Sequence, residues 1–73
     1  MVGGGEKVKI TLNGKPSEVE EGISLSNLLA QMKIEPQKVA CEVNQKIIKR
    51  AQYASTNIAE GDAIEILQMI GGG

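Results

Sequence analysis

From Val8 onward the chain alternates. Val8, Ile10 and Leu12 fall on one side, and Lys7, Lys9 and Thr11 on the other. A period of two marks a strand with one buried face. Asn13-Gly14 follows, and because both residue types tolerate a positive φ the pair predicts a tight hairpin. The return strand is placed at Ser17 to Glu20, with Val19 inward. Pro16 has no N–H to give to a ladder, so this strand starts after it or lies at a sheet edge. The period then changes. Leu25, Leu28, Leu29 and Met32 recur at helical spacing and form one apolar stripe. Ser24 is the expected N-cap, and Ile23 and Leu28 form a hydrophobic staple across it. Pro36 disfavours helix at Glu35 and marks the stop. Alternation returns at Val39, Cys41 and Val43, Asn44-Gln45 turns the chain, and Ile47-Ile48 form a short fourth strand. Arg50 to Gly61 is irregular, with Tyr53 and Ile58 as anchors onto the core. Gly61-Asp62 is a turn, and a last strand runs from Ala63 to Ile70 into Gly71-Gly72-Gly73.

The order strand, strand, helix, strand, strand, strand predicts an α+β fold. One helix has one apolar stripe and covers one sheet face. Placed between the first hairpin and the later strands, it supplies the crossover that a parallel pairing requires, right-handed by rule. The expectation is a mixed sheet of about five strands wrapped around one helix, its opposite face open.

A chain of 73 residues forms one domain. The expected division is a flexible leader at 1–6, the domain at 7–70 and a flexible glycine tail at 71–73. Whether Gly3 to Gly5 are native or a cloning remnant stays open. Tyr53 is the sole aromatic residue, so the core is aliphatic. A net charge of −1 and the lack of a basic stripe with aromatic platforms argue against nucleic-acid binding. No apolar stretch reaches membrane-span length, and the first residues do not read as a signal peptide. A cytoplasmic location is expected, with the chain a monomer on its own. Cys41, the only cysteine, excludes an internal disulfide, and its place between Val39 and Val43 makes it a buried thiol.

The ending is the unusual feature. Glycine has no Cβ and packs against nothing, so the tail offers the α-carboxylate of Gly73 on a thin arm that fits a narrow channel. The chain has no His and no metal cluster. Gly14-Lys15 precedes Pro16 rather than Ser or Thr, and Lys9 stands where a phosphate loop begins with glycine. The chain therefore reads as a substrate of other enzymes and not as an enzyme.

The whole pattern resembles the ubiquitin-like β-grasp fold with a C-terminal diglycine. Within it, the chain is similar to the sulfur carrier proteins of thiamin biosynthesis, the ThiS family. The resemblance lies in Val43-Asn44-Gln45-Lys46-Ile47-Ile48-Lys49-Arg50, in Gly61-Asp62-Ala63-Ile64-Glu65-Ile66-Leu67, in Asn13 within the first turn, and in Gly72-Gly73. Lys49 stands where that family often has proline, Tyr53 where it often has tryptophan, and Gly71 where alanine is frequent. The resemblance implies that an E1-like adenylyltransferase uses MgATP to adenylate Gly73, with no cofactor bound by the carrier itself. A sulfur donor protein then forms a thiocarboxylate, and a thiazole synthase takes the sulfur. Alternatives within the fold are the small subunit of molybdopterin synthase, whose tail usually carries prolines, and a protein modifier joined through an isopeptide bond. A plain interaction module is the alternative from another class.

Recognition is expected on the open sheet face. With Ile64 and Ile66 toward the helix, Glu65, Leu67 and Met69 point away. Exposed apolar residues beside the tail suit partner docking, and Ile70 at the strand's end is counted with them. Ile48 extends the patch if it, rather than Ile47, faces out. Glu65 is a candidate for a salt bridge with the adenylating partner. Arg50 is left between a partner contact and a contact with the last strand. Glu18, Glu20 and Glu21 read as a solvated face.

Overall fold

The computed structural model describes residues 6–69. Its elements are β1 (Lys7–Leu12), β2 (Lys15–Glu20), α1 (Leu25–Gln31), β3 (Val39–Val43), β4 (Lys46–Ile48) and β5 (Ala63–Gln68). Short 3-10 turns occupy Pro36–Lys38 and Arg50–Ser55. The sheet order is β2-β1-β5-β3-β4. β1 and β5 run parallel at its centre, and the other neighbours are antiparallel. This is the expected α+β, β-grasp arrangement, a mixed five-stranded sheet packed on one helix.

Both hairpins turn through two residues with positive φ, Asn13 (52°) with Gly14 (82°) and Asn44 (54°) with Gln45 (71°). Such turns match the right-handed twist of the strands they join. β2 begins at Lys15, earlier than the Ser17 start expected from sequence, and includes Pro16. The register shows why proline is tolerated. Thr11, opposite Pro16, gives its N–H away from β2, to the carbonyl of Asp62 at 2.9 Å. No ladder bond is asked of Pro16, and β2 is an edge strand.

Ser24 caps α1 as expected, its hydroxyl accepting from the Asn27 N–H at 3.0 Å. Leu25, Leu28 and Leu29 are buried. The helix stops well before Pro36, a correction to the sequence reading. Lys33 adopts φ 60°, its N–H donates to the Ala30 carbonyl at 3.1 Å, and the Ile34 N–H donates to the Leu29 carbonyl at 2.9 Å. These two bonds make a Schellman cap with lysine in the position glycine usually takes. Met32, expected to complete the buried stripe, is the C-cap residue and 38% exposed. Ile34 packs against the core.

The core is one cluster drawn from the inner sheet face, the helix and the segment between β4 and β5. Tyr53 and Ile58 anchor that segment as expected, at 4% and 2% exposure. Burying a side chain of Ile58's size contributes about 1.5–3 kcal/mol. Main-chain bonds fix it to the helix start, from Leu25 N–H to the Thr56 carbonyl and from Ile58 N–H to the Ile23 carbonyl, both 2.8 Å. Glu6, assigned by sequence to the leader, accepts from the Glu21 N–H at 3.1 Å.

Candidate functional site: the outer sheet face and the end of β5

β5 is the strand that leads to the tail, and two asparagines hold it from opposite sides. In the parallel ladder with β1, Thr11 and Asn13 donate their N–H groups to the carbonyls of Asp62 (2.9 Å) and Ile64 (2.8 Å). The next bond should run from the Ile66 N–H to the Asn13 carbonyl. Asn13 has turned into the left-handed region, and its side-chain Oδ1 accepts from Ile66 instead, at 2.8 Å. On the β3 side, the Asn44 N–H donates to the Ala63 carbonyl at 2.7 Å. The reciprocal Ala63 N–H is taken by Asn44 Oδ1 at 2.9 Å. In both places a side-chain carbonyl substitutes for a main-chain carbonyl that a hairpin has turned away. Few residues other than asparagine tolerate positive φ while also offering that acceptor.

Asn44 also donates from Nδ2 to Asp62 Oδ1 at 2.9 Å, and Asp62 Oδ2 accepts from the Ala59 N–H at 2.8 Å. Glu60 adds a bond from the Lys9 N–H at 2.9 Å. The Asn-Gln and Gly-Asp turns picked out in the sequence thus meet in space and brace the start of β5.

Along β5, Ile64 and Ile66 are buried, whereas Glu65, Leu67 (49%) and Met69 (52%) face outward. The expected faces are those observed. Ile48 is a correction. Register pairs Ile48 with Cys41, on the core side, and Ile47 with Glu42, on the outside. Ile47 is 74% exposed, and Ile48 packs against the core. A two-residue turn at Asn44-Gln45 forces this register, so the sequence held the signal. The sequence reading also missed Glu42, which lies directly opposite Glu65. Arg50 is exposed at the start of its 3-10 turn.

At the end of β5 the Met69 N–H donates to the Lys38 carbonyl at 3.0 Å. A groove of about 340 Å³ opens beside Met69, between Lys33, Ile34, Lys38 and Gln68. Ile70, Gly71, Gly72 and Gly73 lie outside the described residues. Cys41 has no exposed surface. Burial pushes its thiol up, and the Tyr53 hydroxyl offsets part of that rise. Such a thiol is a poor nucleophile. Among the described residues, no three or more His, Cys, Asp or Glu side chains gather as a metal site, and no helix is long and apolar enough to cross a membrane.

The sequence model of the ThiS family matches residues 10–73, which includes both hairpin asparagines, β5 and the glycines. The chain belongs to the ThiS family. The sulfur carrier protein ThiS of Bacillus subtilis (strain 168) is 32% identical over 65 residues, covering 88% of this chain and 98% of that protein. The crystal structure of the thiamine biosynthesis protein (ThiS) from Geobacter metallireducens superimposes with a TM-score of 0.80 at 35% identity, covering 90% of this chain and all of that one. A thiazole synthase of Magnetococcus marinus is 41% identical over 66 residues, covering 90% of this chain. The chain spans only 20% of that synthase's length, so a ThiS-like segment there forms part of a longer polypeptide.

Proposed function

We propose that this chain is a sulfur carrier whose reacting group is the α-carboxylate of Gly73. A carboxylate resists attack because charge and resonance both oppose it, so it must first be activated. In the proposed course, a partner adenylyltransferase binds MgATP, and a Gly73 oxygen attacks the α-phosphate. Pyrophosphate leaves and an acyl adenylate forms. Sulfur supplied by a donor protein at the sulfide level attacks the acyl carbon, AMP leaves, and a thiocarboxylate results. A thiazole synthase then takes the sulfur for the thiazole ring of thiamin. The carrier supplies the tail, its rigid root and a face for docking, and the catalytic groups belong to the partners.

The observation that carries this reading is the family match running through to Gly73. The apolar outer residues Leu67 and Met69, exposed where β5 ends, support it. So does the thiazole synthase relative that contains a ThiS-like segment.

The test is mass spectrometry of the intact chain and its terminal peptide after incubation with the cognate adenylyltransferase, MgATP and a sulfur source. Exchange of one oxygen for sulfur adds about 16 Da, confined to the terminal peptide and following from acyl activation. An unchanged terminal peptide refutes the proposal. Rescue of a thiazole auxotroph, but not of a molybdenum-cofactor mutant, assigns the pathway.

A further inference from the structure

Glu42 of β3 and Glu65 of β5 sit directly opposite each other on the outer face. Main-chain bonds join Asn44 with Ala63 on one side of this pair and Lys38 with Met69 on the other. The alternation of an antiparallel ladder therefore makes it a hydrogen-bonded pair, with Cα atoms about 5.5 Å apart. Like charges placed this way destabilise a sheet. Among the described residues neither carboxylate has an ion-pair partner.

No lysine or arginine stands directly opposite either carboxylate in the ladders of β3. Ile47 lies beyond Glu42, and Ala40 and Leu67 form the next outward pair toward the tail. The outer lysines of β1, Lys7 and Lys9, stand opposite Glu20 and Glu18 in the β1–β2 ladder. The outer face is thus divided. One half sets lysines opposite glutamates, and the other sets Glu42 opposite Glu65 with the exposed Ile47, Leu67 and Met69 around them.

We propose that the adenylyltransferase docks on this second half and inserts one arginine between Glu42 and Glu65, its apolar surface covering Ile47, Leu67 and Met69. This rests on the function proposed above and names the partner's chemistry at the same face. Reach limits the occupant to a partner that works on the tail. Gly73 is four residues beyond Met69, at most about 14 Å of extended chain. The partner surface that receives Met69 therefore lies within that distance of the ATP α-phosphate. A mouth that gathers a polyphosphate is cationic, and an acidic carrier face is steered toward it. Arginine's planar fork can donate to both carboxylates at once, which a point-charge ammonium does less well.

The experiment measures ATP–pyrophosphate exchange with purified adenylyltransferase for the wild type, Glu42→Gln, Glu65→Gln and the double variant, across a salt series, with thermal unfolding of each. Each single variant should raise KM for the carrier about tenfold, the scale of a lost close charge pair, with kcat unchanged. The double variant should lose little more than either single one, because both carboxylates share one cation. Its KM should depend less on salt than that of the wild type. Its melting temperature should rise by about 3 °C, since the like-charge contact is gone. Higher stability with weaker docking is a combination that a purely structural role does not give. The inference is overturned by an unchanged KM in the double variant, by a raised KM with a lowered melting temperature, or by a loss confined to thiazole synthase binding. Wild-type protein that supports no exchange refutes the proposed function as well, whereas equal exchange by wild type and double variant refutes the arginine alone.

Discussion

Asn44 grips Asp62. Its Nδ2 donates to Asp62 Oδ1 at 2.9 Å while its own Oδ1 accepts the Ala63 N–H. The β3–β4 turn is thereby joined to the turn that opens β5. Asn44→Ala removes both side-chain bonds and places alanine at φ 54°. The expected loss is about 1–3 kcal/mol, read by urea denaturation. Asn44→Gly keeps the backbone freedom and should recover part of it. If glycine restores full stability, the side-chain bonds contribute nothing.

Asn13→Ala should raise the exchange rate of the Ile66 amide selectively, because its acceptor is Asn13 Oδ1. The global cost should be about 1 kcal/mol. Asn13→Asp retains an acceptor and should keep Ile66 protected. Hydrogen exchange followed by NMR separates the two outcomes.

Leu67 and Ile66 are neighbours on opposite faces, 49% and 9% exposed. Leu67→Glu should fold normally and weaken partner binding. Ile66→Glu buries a charge without a partner and should unfold the domain. Circular dichroism of both variants checks this, and an unfolded Leu67→Glu would contradict the face assignment.

Gly73→Ala should leave the melting temperature unchanged and sharply reduce adenylation, because a Cβ at the reacting residue collides in a narrow channel. Normal pyrophosphate exchange by this variant would show that the channel is not narrow.

Alkaline stability reports on Cys41 and Tyr53. Burial raises both above their ordinary values of 9.0 and 10.0. In the folded chain both stay protonated at pH values where the unfolded chain loses those protons. Folding stability from these groups is therefore complete below pH 9 and declines as pH rises above it. Urea midpoints between pH 7 and pH 10.5 should show that decline, and Cys41→Ala should make it shallower. Native protein should resist a thiol reagent that modifies the unfolded chain rapidly.

Much of this molecule was legible in its sequence, and particular residues show why. The faces of β1, β3 and β5 followed from a period of two, which local sterics impose wherever one sheet face is buried. Ser24 announced the helix start because a cap is satisfied within one turn. The glycine tail pointed to the candidate chemistry only together with the family resemblance along the rest of the chain. Other features depended on partners far along the chain. The helix ends at a left-handed Lys33, a conformation few would assign to lysine, while Pro36 waits three residues later. Pro16 sits inside a strand because Thr11 faces β5 rather than β2. Glu42 meets Glu65 only after the chain has folded back across 23 residues of sequence to set β3 beside β5. Sequence by itself determined the elements, their buried faces and the glycine ending, since these rest on local geometry and periodicity. Tertiary structure alone decided the register of β3 against β5, and with it the juxtaposition of Glu42 with Glu65 and of Ala40 with Leu67, because that register is a relation between distant segments that no single segment encodes.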